Sequence, residues 1–205
     1  PHTQSGYTLI GESASSSGYG VSYINDDSGR RAEWSIRQAQ GPQTIYYKAQ
    51  FLVDPQAKVT PLPPTEDITP PTLSAPQAAA ANALIERAMS RSADNVTFTR
   101  ELIKALNDPD SQNSSLLLND FSRTDALHNI LLTAGIQSKT VGVIELEDGR
   151  RRQTIQPMVQ VWSGKDWVLF SPKSEQKAVK PNLLVWDESN AVSYTHLRAH
   201  ETHEN

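Results

Sequence analysis

Seven of the chain's 13 prolines crowd between Asp54 and Pro76: Pro55, Pro61, Pro63, Pro64, Pro70, Pro71 and Pro76. Each locks its own φ, lacks a backbone donor and pushes the residue before it out of the helical region. No helix and no central strand can run through such a stretch, so the 205 residues are cut into two units with a semi-rigid spacer between them. The expected organisation is a small β domain over 1–54, truncated at its start, a Pro-rich linker over 55–76, a helix-and-strand domain over 77–191, and a tail over 192–205.

Charge and residue usage exclude several classes of function. Nineteen Lys and Arg against 23 Asp and Glu give a net charge of −4, without the basic excess of a nucleic-acid binder. No run approaches the roughly 18 apolar residues that a membrane span requires, so the stretch itself is expected to be soluble. With zero cysteines there is no disulfide, no thiolate metal site and no cysteine nucleophile. No cofactor is expected.

Both ends carry signs of a piece cut from something longer. The chain opens at Pro1 in text that already reads as strand, and is expected to be a fragment. Val192 to Thr202, VSYTHLRAHET, looks like one reading frame of a transposon-end sequencing adapter. His196, His200 and His203 stand at spacings of four and three, which on a helix would gather imidazoles as a metal site needs. The adapter reading is preferred, and no metal site is expected. His2 and His128 are then the imidazoles that remain.

In the first unit, Trp34 and Ile36 alternate with polar residues, and TIYYKAQFLV from Thr44 to Val53 is rich in β-branched and aromatic types. Both read as strands, with Gly41-Pro42 turning between them, while Ser13 to Gly20 (SASSSGYG) reads as loop. In the second unit, Ser74-Ala75-Pro76-Gln77 is a capping box ahead of an Ala-rich helix to Ser90. A second helix is predicted over Thr97–Asn107, with Phe98, Leu102 and Leu106 as its buried stripe and Asn107-Asp108-Pro109 as its stop. A third begins near Ser122, buries Ala126, Leu127, Ile130, Leu131 and Ala134, and closes at Gly135. Strands follow over Thr140–Leu146, Thr154–Trp162 and Trp167–Phe170, with hairpin turns at Asp148-Gly149 and Gly164-Lys165. The class is α+β, three helices and then an antiparallel meander, preceded by a small β domain.

Leu131 to Ile136, Thr140-Val141-Gly142, Met158 to Trp162, and Asp166-Trp167-Val168-Leu169-Phe170-Ser171-Pro172 together resemble the core of a transglutaminase-like (papain-like) domain over roughly Ala78 to Trp186. In active members of that family a Cys opens the helix, a His precedes the middle strand and an Asp precedes Pro in the last one. A thiolate is stabilised by a helix N-terminus and an adjacent imidazolium, which a carboxylate orients. The resemblance puts the nucleophile place within Asp120 to Arg123, best at Ser122, the His place at Gln156 and the Asp place at Ser171. None of these side chains is the one the chemistry requires, which implies a pseudoenzyme. A narrower likeness rests on SSSGYG, Gly29 to Trp34, Gly41 to Tyr47, Arg123 to Leu127 and Glu147 to Arg152. These are similar to the bacterial family of inactive transglutaminases fused to seven transmembrane helices.

That likeness implies an extracytoplasmic (periplasmic) region of an integral membrane protein. It also implies a peptide or amino-acid-like ligand, attached membrane helices, and association with ATP-grasp ligases and retropepsin-like proteases in peptide modification. Ser122, Gln156, Trp162 and Ser171 are the candidate ligand-binding residues, none of them catalytic. Bland roles stand beside these: an N-cap for Ser122, the preferred reading, and backbone satisfaction at strand ends for Gln156 and Ser171. His128 reads as structural, Arg150 to Arg152 as solvated charge at a hairpin tip, and Trp162, Trp167 and Trp186 as packing aromatics or a stacking platform. Asn95-Val96-Thr97 and Asn113-Ser114-Ser115 match the glycosylation pattern, which is frequent by chance. The rival functions are a residual amide hydrolase using Ser122 with His128, and a scaffold for partner proteins.

Overall fold

The computed structural model describes residues 4–26, 29–38, 40–41, 44–54, 56–147, 154–174 and 182–187. The Asp148-Gly149 turn, Arg150 to Arg152 and the 192–205 tail with its histidines lie outside them. The architecture is α+β, with helices and antiparallel sheet.

The first unit holds four strands, β1 (Tyr7–Ser15), β2 (Gly20–Asp26), β3 (Gly29–Ser35) and β4 (Tyr46–Val53). They form two separate antiparallel ribbons, β1 with β4 and β2 with β3. The two strands expected from sequence, at Trp34 and Thr44 to Val53, are therefore not neighbours: Trp34 pairs with Val21, and Tyr47 with Ala14. The Ser13–Gly20 loop is also shorter than expected. Ser13 to Ser15 extend β1 because β4 supplies them with partners, and Gly20 opens β2 opposite Ser35.

The second unit begins with α1 (Ala75–Met89), where Gln77 Oε1 accepts from the Ser74 N–H at 2.9 Å and Pro76 sits in the first turn. Ala75 and Pro76 are thus helical. Next comes α2 (Asn95–Leu106), capped by Asp94, which accepts from Thr97 N at 2.7 Å. The helix α3 (Gln112–Asp120) was not expected from sequence. Its Asn and Ser residues are weak helix formers, and it is held instead by tertiary contacts: the Ser111 cap, buried Leu117, and Ser114 Oγ donating to Ala105 O at 2.8 Å. Asn113 to Ser115 are helical here. Then α4 (Arg123–Thr133) ends in a Schellman motif, with Gly135 at φ +73°, Gly135 N on Leu132 O and Ile136 N on Leu131 O.

The sheet consists of β5 (Ser138–Glu145), β6 (Ile155–Trp162), β7 (Trp167–Phe170) and β8 (Leu183–Asp187), in the order β7-β6-β5-β8. The meander β5-β6-β7 is joined by β8, a strand the sequence reading omitted, on the far side of β5. Strand alternation splits the sheet's side chains between two cores. Val159, Val161 and Phe170 face the helices, among Leu84, Leu102, Ile103, Leu127 and Leu131. Val141, Val143, Met158 and Val185 form a smaller cluster of their own, with Leu169 and Leu183 against it.

The Pro-rich stretch is docked rather than free. Ala57 O accepts from Gly6 N at 2.9 Å and Val59 N donates to Ser5 Oγ at 3.0 Å, so its start is tied to the ribbons. Further on, Leu62 O accepts from Trp167 Nε1 at 2.9 Å and Glu66 O from Gln137 Nε2 at 2.6 Å, tying it to the sheet. The two units also meet directly. Gln4 Oε1 accepts from Val185 N at 2.9 Å, its Nε2 donates to Leu183 O at 3.3 Å, and the Tyr47 ring meets Trp186 edge-on at 6.0 Å.

Candidate functional site

At the N-terminus of α4 stands Ser122, which the sequence resemblance aligns with the nucleophile place. Ser122 takes the extended φ/ψ of an N-cap, and its Oγ accepts from Asp125 N at 3.1 Å. Its single hydroxyl proton goes to Asp125 Oδ2 at 2.7 Å. The hydroxyl is therefore committed in both directions. Beside it, Arg123 Nη1 donates to Asn107 Oδ1 at 2.8 Å, and Asn107 Nδ2 donates to Pro172 O and Ile103 O, each at 2.9 Å.

That amide is the joint of the site. It ties the end of α2, the start of α4 and the residues just after β7 to one another, bringing the Ser122 neighbourhood to Ser171-Pro172. In the sequence, Asn107 reads only as part of a helix stop. Asn107 could not be recognised as a joint because all three of its partners are backbone or long-range groups. Ser171 itself is half-buried, and its Oγ accepts from Lys173 N at 3.3 Å in the turn that leaves β7. Gln156 is exposed on β6 opposite Val143, and alternation puts it on the sheet face of Met158 rather than that of Val159.

The imidazole is engaged elsewhere. His128 Nδ1 lies 2.9 Å from Ser138 Oγ, and burial pushes its pKa below the ordinary 6.5, with Asp125 opposing weakly. Ser138 is only 8% exposed and His128 is half-buried, so the hydroxyl of this Ser-His contact lies below the surface. Ser122 and His128 each have a different partner, so the imidazole is not joined to the Ser122 hydroxyl.

Trp162 stands apart from these positions. It is six residues from Gln156 along β6, about 20 Å at strand rise. It packs on Trp167 with ring centroids 5.4 Å apart and planes tilted by 59°. Lys139 Nζ sits 4.6 Å from the Trp167 ring centroid. Trp186, by contrast, is taken up by Tyr47 at the junction of the units. An open depression lined by Gly18, Gly20, Ser35, Ile36, Arg37 and Gln38 belongs to the β ribbons, not to the α4 region. Among the described residues, no group of three His, Cys, Asp or Glu could hold a metal ion, and no helix is long and apolar enough to cross a membrane.

One family model matches the chain, over residues 1–121, and its family is described as inactive transglutaminase fused to 7 transmembrane helices. The match covers both ribbons, the Pro-rich stretch and α1 to α3, and stops one residue short of Ser122. No curated protein and no solved structure matches.

Proposed function

The chain belongs to the family of inactive transglutaminases fused to 7 transmembrane helices, and on that premise we propose that it is a non-catalytic, extracytoplasmic domain that binds a peptide or amino-acid-like ligand and reports to those helices. One observation carries the non-catalytic part: the Ser122 hydroxyl is taken up by helix capping and by Asp125, while the His128 imidazole is bonded to Ser138 instead. Ser171 is likewise occupied by a turn. What remains at the joint is a frame without a reactive group, its side chains holding α2, α4 and the end of β7 in place. The transglutaminase-like identity of the helices and sheet, the periplasmic side of the bacterial inner membrane, and ATP-grasp ligase and retropepsin-like protease partners belong to the same proposal.

The test is to incubate the purified chain with peptide amides and a primary amine, beside an active transglutaminase. Expected are binding isotherms for some peptides and no product above the blank. Saturable amide transfer or hydrolysis would overturn the proposal, and abolition of that activity by Ser122→Ala would install the hydrolase reading in its place.

A further inference from the structure

The sequence Thr60-Pro61-Leu62-Pro63-Pro64 has almost no conformational freedom. Prolines fix φ at 61, 63 and 64, and Thr60, Leu62 and Pro63 each precede a proline and are held in the extended region. Such a run is a polyproline-II helix with three residues per turn and no internal hydrogen bonds. Its burial follows that period: Pro61 and Pro64 are half-buried, while Leu62, 70% exposed, and Pro63 face solvent. One ridge of the helix therefore lies on the protein. Beneath it, Trp167 Nε1 donates to Leu62 O at 2.9 Å, from a ring braced by Trp162 and Lys139.

An indole N–H donating to a carbonyl of a P-x-x-P segment, beside a second aromatic ring, is the general chemistry by which proline-rich ligands are recognised. The segment arrives already ordered, so little entropy is lost on docking. We propose that the Trp162-Trp167 pair is a binding site for proline-rich, polyproline-II peptides, occupied in this structure by the chain's own residues 61–64. A partner's P-x-x-P segment binds there by displacing that strap. The site lies at the other end of β6 from Gln156 and involves neither Ser122 nor Ser171, so it stands or falls independently of the function proposed above.

A synthetic peptide copying residues 59–68 is the probe, affinities are read by calorimetric titration of the full chain, and the indole N–H resonance of Trp167 shows whether the peptide reaches the site. Pro61→Ala/Pro64→Ala weakens the strap, and Gln137→Ala releases its Glu66 anchor without touching prolines or tryptophans. Either variant is expected to bind the peptide about tenfold more tightly than the parent, as for a strap seated nine-tenths of the time. Trp167→Phe, which keeps a ring and removes the donor, is expected to weaken peptide binding in the Gln137→Ala background about fivefold. No movement of the Trp167 signal in the parent or in either folded release variant would overturn the proposal. Equal binding of a peptide with both prolines replaced by alanine would do the same. Dimerisation of the parent that is lost in Pro61→Ala/Pro64→Ala would give the site to the strap of a second copy, against a partner's peptide.

Discussion

The helix-and-sheet unit and the ribbon unit are held together by different means. In the former, Leu102, Ile103, Leu127, Leu131, Val159 and Phe170 are all at 0% exposure, a dry core of ordinary close packing. In the latter, Tyr7 is the one buried hydrophobic residue among those described, and Ile10, Tyr46, Leu52 and Val53 are exposed. Two-stranded ribbons bury too little to stand alone. A polar cluster compensates, drawing one side chain from each strand. Arg30 of β3 pairs with Glu12 of β1, Tyr47 of β4 donates to Glu12 Oε2 at 2.7 Å, and the Arg30 guanidinium lies 5.2 Å from the Tyr23 ring of β2. Trp34 and Trp186 then flank Tyr47 edge-on, at 6.1 and 6.0 Å. Ribbon order is thus bound up with the neighbouring sheet, whereas the helix core is self-sufficient.

The largest expected effect comes from Leu127→Ala, which opens a cavity in the dry core. A loss of about 2–5 kcal/mol is expected by denaturant titration, with helical and aromatic circular dichroism lost together. If aromatic signal from Trp34, Tyr47 and Trp186 survived the loss of helix, the ribbons would be the independent unit and the comparison would be reversed. Glu12→Gln acts on the other side. It removes the charge that both Arg30 and Tyr47 address, and is expected to cost about 1–2 kcal/mol, reduced because Arg30 is partly solvated. Near-ultraviolet dichroism should weaken at denaturant concentrations where the helices are intact, and a single shared transition would argue against separate stabilisation.

Ser122→Ala should cost about 1 kcal/mol through the lost cap, with Ser122→Asp restoring it, and should leave peptide binding at the α4 joint unchanged. A loss of binding with full stability would make Ser122 a contact residue. The smallest effect is in pH. Neutral His128 is favoured by folding, so its contribution is present above 6.5 and is lost as pH falls through the lower folded value. For Glu12, burial works upward, and the hydrogen bonds from Arg30 and Tyr47 outweigh it, holding the carboxyl below the usual carboxylate range. Its contribution is present above that range and is lost only as pH falls through the depressed folded value. On stepwise acidification the helical transition should therefore weaken first and the aromatic one later, and His128→Gln should flatten the first step alone.

Legibility from sequence divides along the same line. Helix ends governed by a few adjacent residues could be read directly: the Ser74-Gln77 box, the Ser122 cap, the Gly135 stop. So could the Gly164-Lys165 turn, where Ser163 N meets Asp166 O at 2.9 Å. What escaped depends on groups distant in the chain. Helix α3 is held by Ala105 and its own buried leucine against its composition, and β8 acquires its strand character from β5. The ribbon pairings join Tyr7 to Val53 and leave adjacent strands apart. At the α4 joint, the exhausted hydroxyl could be anticipated from S-x-x-D spacing, but the Asn107 clasp could not.

The Gln4 amide on β8 has a consequence for the order in which the molecule assembles. During synthesis the ribbons emerge before the helix-and-sheet unit, yet the bond from Val185 to Gln4 spans 181 residues, and Trp186 reaches back across the helices to Tyr47. Long-range closures are slow because loop entropy must be overcome before they form. The ribbons, made before the helix-and-sheet unit, consequently reach their final form after it, and their exposed edges wait for strand β8 to be translated.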